Sequence, residues 1–138
     1  YPDKEKKIMC KSCDADPKSH SFFKIATEGN VQMFYSCPSE ATKYYDKESV
    51  EIHCREKLQE KGNTNKWIFI FDGTGYTLRH AMAIGVSLSF LRVVKEHADT
   101  LLEIRILNTS SYVSTMLTIM KPFIPHKIYS KINWNTMN

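Results

Sequence analysis

Residues 101–131 read LLEIRILNTSSYVSTMLTIMKPFIPHKIYSK. Within them, Ile104-Arg105-Ile106-Leu107-Asn108 has the β-branched density and the length of a buried strand. Thr109, Ser110 and Ser111 come next; their hydroxyls can satisfy the free backbone N–H groups that open a helix. From Ser111 the apolar residues Tyr112, Val113, Met116, Leu117 and Met120 fall on one helical face. Lys121-Pro122 ends that helix, because the residue before a proline is pushed out of the α region. Phe123 and Ile124 are then held between Pro122 and Pro125, and residues 128–132 return to a strand-like run.

Upstream, residues 1–19 are polar, charged and aperiodic, which predicts a tail or variable lead-in over 1–21 ahead of one domain over 22–138. Residues 22–26 and 31–35 are strand-like, and the intervening Thr27-Glu28-Gly29-Asn30 supplies turn residues for a hairpin. Residues 38–45 read as a loop. Residues 47–61 predict a polar helix with Val50, Ile52, Cys54 and Leu58 as its thin apolar part, closed by Gly62. Trp67-Ile68-Phe69-Ile70-Phe71-Asp72 is apolar on both faces, so it predicts a central strand. Residues 78–97 predict one long helix, with Ala81, Gly85 and Ser89 as a small-residue stripe against the sheet. Strands alternating with long helices imply an α/β fold, with right-handed crossovers and a mostly parallel mixed sheet.

With 138 residues, 42% of them hydrophobic and 25% charged, the composition is that of a single globular domain. No window approaches the roughly 20 apolar residues that span a bilayer, and the start has no signal-peptide pattern. The net charge of +4 is mild. It suits an anionic membrane surface, but a solvated surface is the simpler reading. No Lys/Arg run is interleaved with aromatics, which argues against nucleic acid as a partner.

Gly85-Val86-Ser87-Leu88-Ser89 has the letters of a nucleophile elbow but lies inside a helical pattern. Asp72-Gly73-Thr74-Gly75 ends a strand, where α/β sheets bind ligands, but it lacks the Gly-Lys-Ser/Thr of a P-loop and the third glycine of a dinucleotide fingerprint. Cys10-Lys-Ser-Cys13 has zinc-knuckle or redox spacing. The residues that could complete a metal site, His20, Cys37, His53 and Cys54, are irregularly spaced. No strand precedes Cys10, as a thioredoxin-like motif requires. Reduced thiols in a cytosolic protein are the simpler reading, and each of the five histidines reads as a surface or helix-end residue. The expectation is therefore no enzyme, no cofactor and no metal.

In order and spacing, Asn108, the apolar helix from Ser111, Lys121-Pro122-Phe123-Ile124 and Lys131-Ile132 resemble the CRAL-TRIO family of lipid-binding domains, the yeast phosphatidylinositol transfer protein type. Asp72 and Gly75 match a further strand-end signature of that family, and the resemblance covers roughly residues 22–132. Thr109-Ser110 stands where the family commonly has Ala-Pro. The resemblance implies a compact CRAL-TRIO-like domain without the usual N-terminal helical bundle. The family continues beyond the counterpart of Ile132, so the pocket is expected to be incomplete or closed by another chain. It implies non-catalytic binding, transport or sensing of a lipid or other hydrophobic ligand, phosphatidylinositol first among candidates. It places the protein in the cytoplasm with peripheral contact to an anionic membrane. Asp99 and Lys131 fall at the family's head-group positions and Phe123 and Ile124 at its gate, while the shared helix face of Tyr112, Met116 and Met120 reads as a cavity wall or as plain core packing. The alternative it leaves open is a scaffold that binds a protein partner such as a small GTPase or signalling protein.

Overall fold

The computed structural model describes residues 11–62 and 64–134. The elements, in chain order, are α1 (Lys11–Ala15), β1 (Phe23–Glu28), β2 (Val31–Ser36), α2 (Lys47–Lys61), β3 (Lys66–Asp72), α3 (Leu78–Met82), α4 (Ile84–Glu96), β4 (Leu101–Leu107), α5 (Ser111–Met120), α6 (His126–Tyr129) and β5 (Ile132–Asn133). The five strands form one sheet in the order β1-β2-β3-β4-β5. β1 and β2 are an antiparallel hairpin, and β2 to β5 are all parallel. The sheet is mixed and mostly parallel, as the alternation of strands and helices predicts.

Strand order equals chain order from β2 onward, so every crossover steps the same way. Right-handed crossovers then put the connecting helices on a single face of the sheet. Burial agrees: Phe34, Trp67, Phe69, Ile104 and Ile106 are buried, while Met33, Tyr35, Ile70, Arg105 and Leu107 of the opposite face are partly exposed. Trp67 is fully buried on the covered face, and its indole N–H donates to the carbonyl of His97 at 3.0 Å. A large aromatic ring is thereby buried without an orphaned donor.

Local chemistry fixes the element ends. Asp46 caps α2 by accepting from the backbone N–H of Ser49, and Ser110 caps α5 by accepting from that of Val113. The buried Lys61 closes α2 from the other end, donating to the carbonyls of Gly62 at 2.8 Å and Asn65 at 2.9 Å.

Four sequence expectations are corrected. Residues 78–97 form two helices, broken at Ala83, whose φ of −82° and ψ of 66° are non-helical. The break resets the helical phase, so Ala81 and Ser89 are buried but Gly85 is exposed beside the Lys47 side chain. Residues 128–132 are not a strand: α6 takes the first part, and only Ile132–Asn133 pairs with β4. The described part of the lead-in is not a tail, because Cys13, Ser19, His20 and Ser21 are buried in the domain. The remainder, residues 1–10, lies outside the described residues.

Candidate ligand-binding site

A cavity of about 140 Å³ lies between the covered face of the sheet and the helices. Its floor is Phe69, Phe71, Ile104, Ile106 and Ile132 from β3, β4 and β5. One wall is Val86, Phe90, Leu91 and Val94 from α4. The other is Met116, Leu117 and Met120 from α5, continued by Ile124. Val50 and Cys54 of α2 complete the apolar shell, and Tyr44, Tyr76, Ser21, Ser36, Ser87 and His20 add the few polar atoms. Among the described residues no Lys, Arg, Asp or Glu lines it. A buried charge without a partner costs several kcal/mol, so this lining rejects ions and accepts apolar groups.

The sequence-predicted wall is divided by the structure. Met116, Met120 and Ile124 line the cavity. Tyr112 does not; it is 42% exposed. Val113, Met116, Leu117 and Met120 form the buried face of α5, and Tyr112 lies about 100° round the helix from Val113. Phe123 is also outside the lining and is 50% exposed, because the single turn of 3₁₀-helix at Lys121–Phe123 directs it away from Ile124. Sequence periodicity does not single out the lining residues on α4, Val86, Phe90 and Leu91 among them, since core and cavity walls share one hydrophobic period.

Neither predicted head-group residue lines the cavity. The Asp99 carboxylate is exposed and accepts from Lys127. Lys131 donates to the carbonyls of Ala98 and Leu101. The two lie near enough for their charges to act on each other, but both are occupied by the protein itself.

The C-terminal end of the sheet is likewise self-satisfied. The Asp72 carboxylate accepts from the Tyr35 hydroxyl at 2.7 Å, the Thr74 hydroxyl at 2.6 Å, the Thr74 N–H at 2.9 Å and the Asn108 amide at 2.8 Å. Burial alone would raise its pKa; the hydrogen bonds from Asn108, Thr74 and Tyr35 outweigh that and hold it at about 2. Asn108 sits just past β4 with φ at 52°, a left-handed conformation that asparagine tolerates. The network locks the ends of β2, β3 and β4 together.

Two histidines correct the expectation of surface positions. His20 and His53 are both buried, close to Cys13. Burial lowers both pKa values, His53 to about 4, so both rings are neutral near pH 7. Cys13, His20 and His53 are the described residues able to hold a metal ion.

Residues 42–138 match the sequence model of the CRAL/TRIO domain. No curated protein matches the chain. No helix among the described residues is long and apolar enough to cross a membrane.

Proposed function

Since this chain belongs to the CRAL/TRIO domain family, whose partner class is a lipophilic ligand, we propose that it binds a lipid or other hydrophobic molecule in the cavity under α4 and α5, without catalysing its conversion. The observation that carries this reading is the lining: apolar throughout its floor and both walls, and free of charged side chains among the described residues.

The size of the cavity says how the ligand enters. At about 140 Å³ it matches a benzene-sized cavity and falls below the roughly 300–1,000 Å³ of most ligand pockets. A lipid chain therefore needs the walls to yield. Met116 and Met120 suit that, because unbranched thioethers repack around ligands of varied shape. Phosphatidylinositol is the first head group to test, on the family resemblance. The uncharged lining requires that its phosphate stay outside, at the rim or at a membrane, and a net charge of +4 favours an anionic one. Peripheral membrane contact from the cytoplasm fits that arrangement.

The test is native mass spectrometry of the chain purified from cells, beside the variant Val86→Phe, which adds volume to one wall. The expected result is a co-purifying lipid or apolar molecule in the wild type and several-fold less in the variant. A ligand that survives Val86→Phe in full occupancy lies elsewhere.

The small cavity also favours a second reading, a scaffold that works through a protein partner. The sheet face opposite the helices presents Phe23, Met33 and Tyr35 together, with the Phe23 and Tyr35 rings 5.8 Å apart. An empty interior in the native spectrum would favour this reading over the carrier.

A further inference from the structure

Residues 12–22 show no hydrophobic period, and yet a run of them is buried. Polar contacts hold this segment in place. Cys13 Sγ lies 3.4 Å from Nδ1 of His20 and 3.6 Å from Nδ1 of His53. The ring centroids are 4.7 Å apart, and the three ligand atoms all lie within 4.8 Å of one another.

The outer nitrogens decide the tautomers. Nε2 of His53 lies 2.9 Å from the carbonyl oxygen of Phe22, which can only accept, so that nitrogen carries the hydrogen. Nε2 of His20 lies 3.0 Å from Ser49 Oγ, whose own hydrogen goes to the carbonyl of Asp46 at 3.1 Å. That Nε2 donates as well. Both Nδ1 atoms are therefore lone pairs aimed at one sulfur. A cation between the sulfur and the two nitrogens satisfies both.

The spacing fits such an ion. Zinc bonds of about 2.3 Å to sulfur and about 2.05 Å to nitrogen, at a tetrahedral angle, give a sulfur–nitrogen edge of about 3.6 Å. The two observed edges are 3.4 and 3.6 Å. The outer contacts also fit, since metal-bound imidazoles usually donate their second N–H to a carbonyl or another oxygen that orients the ring.

We propose that Cys13, His20 and His53 are ligands of a structural zinc ion that pins the segment before β1 onto α2. Thiolate with two imidazoles is a borderline-soft donor set, which selects zinc over magnesium or calcium. The site tethers by binding energy, which is how a polar segment without a hydrophobic period can hold a fixed place. It adjoins the cavity through His20, which belongs to both, but it does not depend on the cavity holding a ligand.

The experiment is metal analysis of the full chain expressed with zinc, followed by exchange to cobalt. About one zinc per chain is expected, together with the visible bands of tetrahedral cobalt and a near-ultraviolet thiolate-to-cobalt band. The double variant His20→Ala/His53→Ala should fall below about a tenth of that occupancy. Cys37→Ser, at a buried cysteine outside both the cluster and the cavity lining, should retain it. Should the double variant fail to fold, the cobalt spectrum of the wild type decides alone. A wild-type chain that binds neither metal, octahedral cobalt bands, or a folded double variant that keeps its zinc would overturn the assignment.

Discussion

The ammonium of Lys131 donates to the backbone carbonyl of Leu101 at 2.6 Å, and to that of Ala98 at 3.1 Å. The carbonyl of Lys131 accepts from the N–H of Ile104 at 2.9 Å. One residue thus fastens the approach to β5 onto the start of β4. Burial is the main cause that lowers its pKa, followed by the charge of Lys127.

That geometry makes Lys131 a stability residue first. Hydrogen bonds to a charged group contribute roughly 1.5–3 kcal/mol, less where water competes. Lys131→Ala should lower stability by about 1–2 kcal/mol, read as a lower urea midpoint at unchanged slope. Any loss of ligand binding should then be equal for phosphatidylinositol and for a neutral apolar ligand. A selective loss of phosphatidylinositol at an unchanged midpoint would instead restore a head-group role.

Asp72 should give the chain an acid-sensitive step. Its folded pKa of about 2 lies below the ordinary 3.8, so ionised Asp72 stabilises the fold. That contribution is complete above about pH 4 and disappears as pH falls through 2. Discounted for partial exposure, it amounts to about 1–2 kcal/mol. Denaturant midpoints of wild type and Asp72→Asn should differ by a constant amount above pH 4 and converge toward pH 2. A difference that does not shrink in acid would show that the charge is not what holds the strand ends together.

What the sequence disclosed is what neighbours along the chain decide. The caps at Asp46 and Ser110, the turn at Gly29 and the two-faced strand at residues 67–71 are local, and each stands where the residues place it. The break at Ala83 has no such local signal: no proline or glycine occupies that position. Strand pairing decides β5, so the apolar run ahead of it is no guide to its length. The cluster of Cys13, His20 and His53 was hidden for the same reason. His53 is 40 residues from Cys13 and arrives only when α2 packs beside the segment ahead of β1. The Cys10-x-x-Cys13 spacing, with His20 and His53 among the irregularly spaced candidates, was the signal available in the sequence.

Gly73 is a position where space decides. A Cβ there would lie 2.7 Å from the carbonyl oxygen of Asn108 and 2.9 Å from Val113 Cγ2. Backbone does not yield cheaply, so Gly73→Ala should destabilise by about 1–3 kcal/mol. Gly29 is the contrast: φ is 61° and a Cβ would meet nothing within 4 Å. Gly29→Asn, a residue tolerant of that conformation, should cost well under about 1 kcal/mol. Equal losses in thermal melts of the two variants would refute the distinction.

Phe123 and Ile124 are adjacent, and the structure divides their work. Ile124 lines the cavity, whereas Phe123 is half exposed on the segment between Pro122 and Pro125. Full burial of a phenylalanine side chain gains roughly 1.5–3 kcal/mol, and about half of that remains available to this ring. If the ring inserts into a bilayer, removing it should weaken vesicle binding about five- to tenfold. Phe123→Ser should do so on anionic vesicles containing phosphatidylinositol while leaving the melting temperature unchanged, since the ring contributes little to the core. Ile124→Ser should behave oppositely, losing stability and interior ligand together. Salt separates the insertion term from the electrostatic attraction of a chain with net charge +4, because screening weakens only the latter. The ratio of wild-type to Phe123→Ser binding should therefore persist from low to high salt. A ratio that collapses toward one in salt, or equal vesicle binding by the two proteins at low salt, would remove Phe123 from the membrane contact.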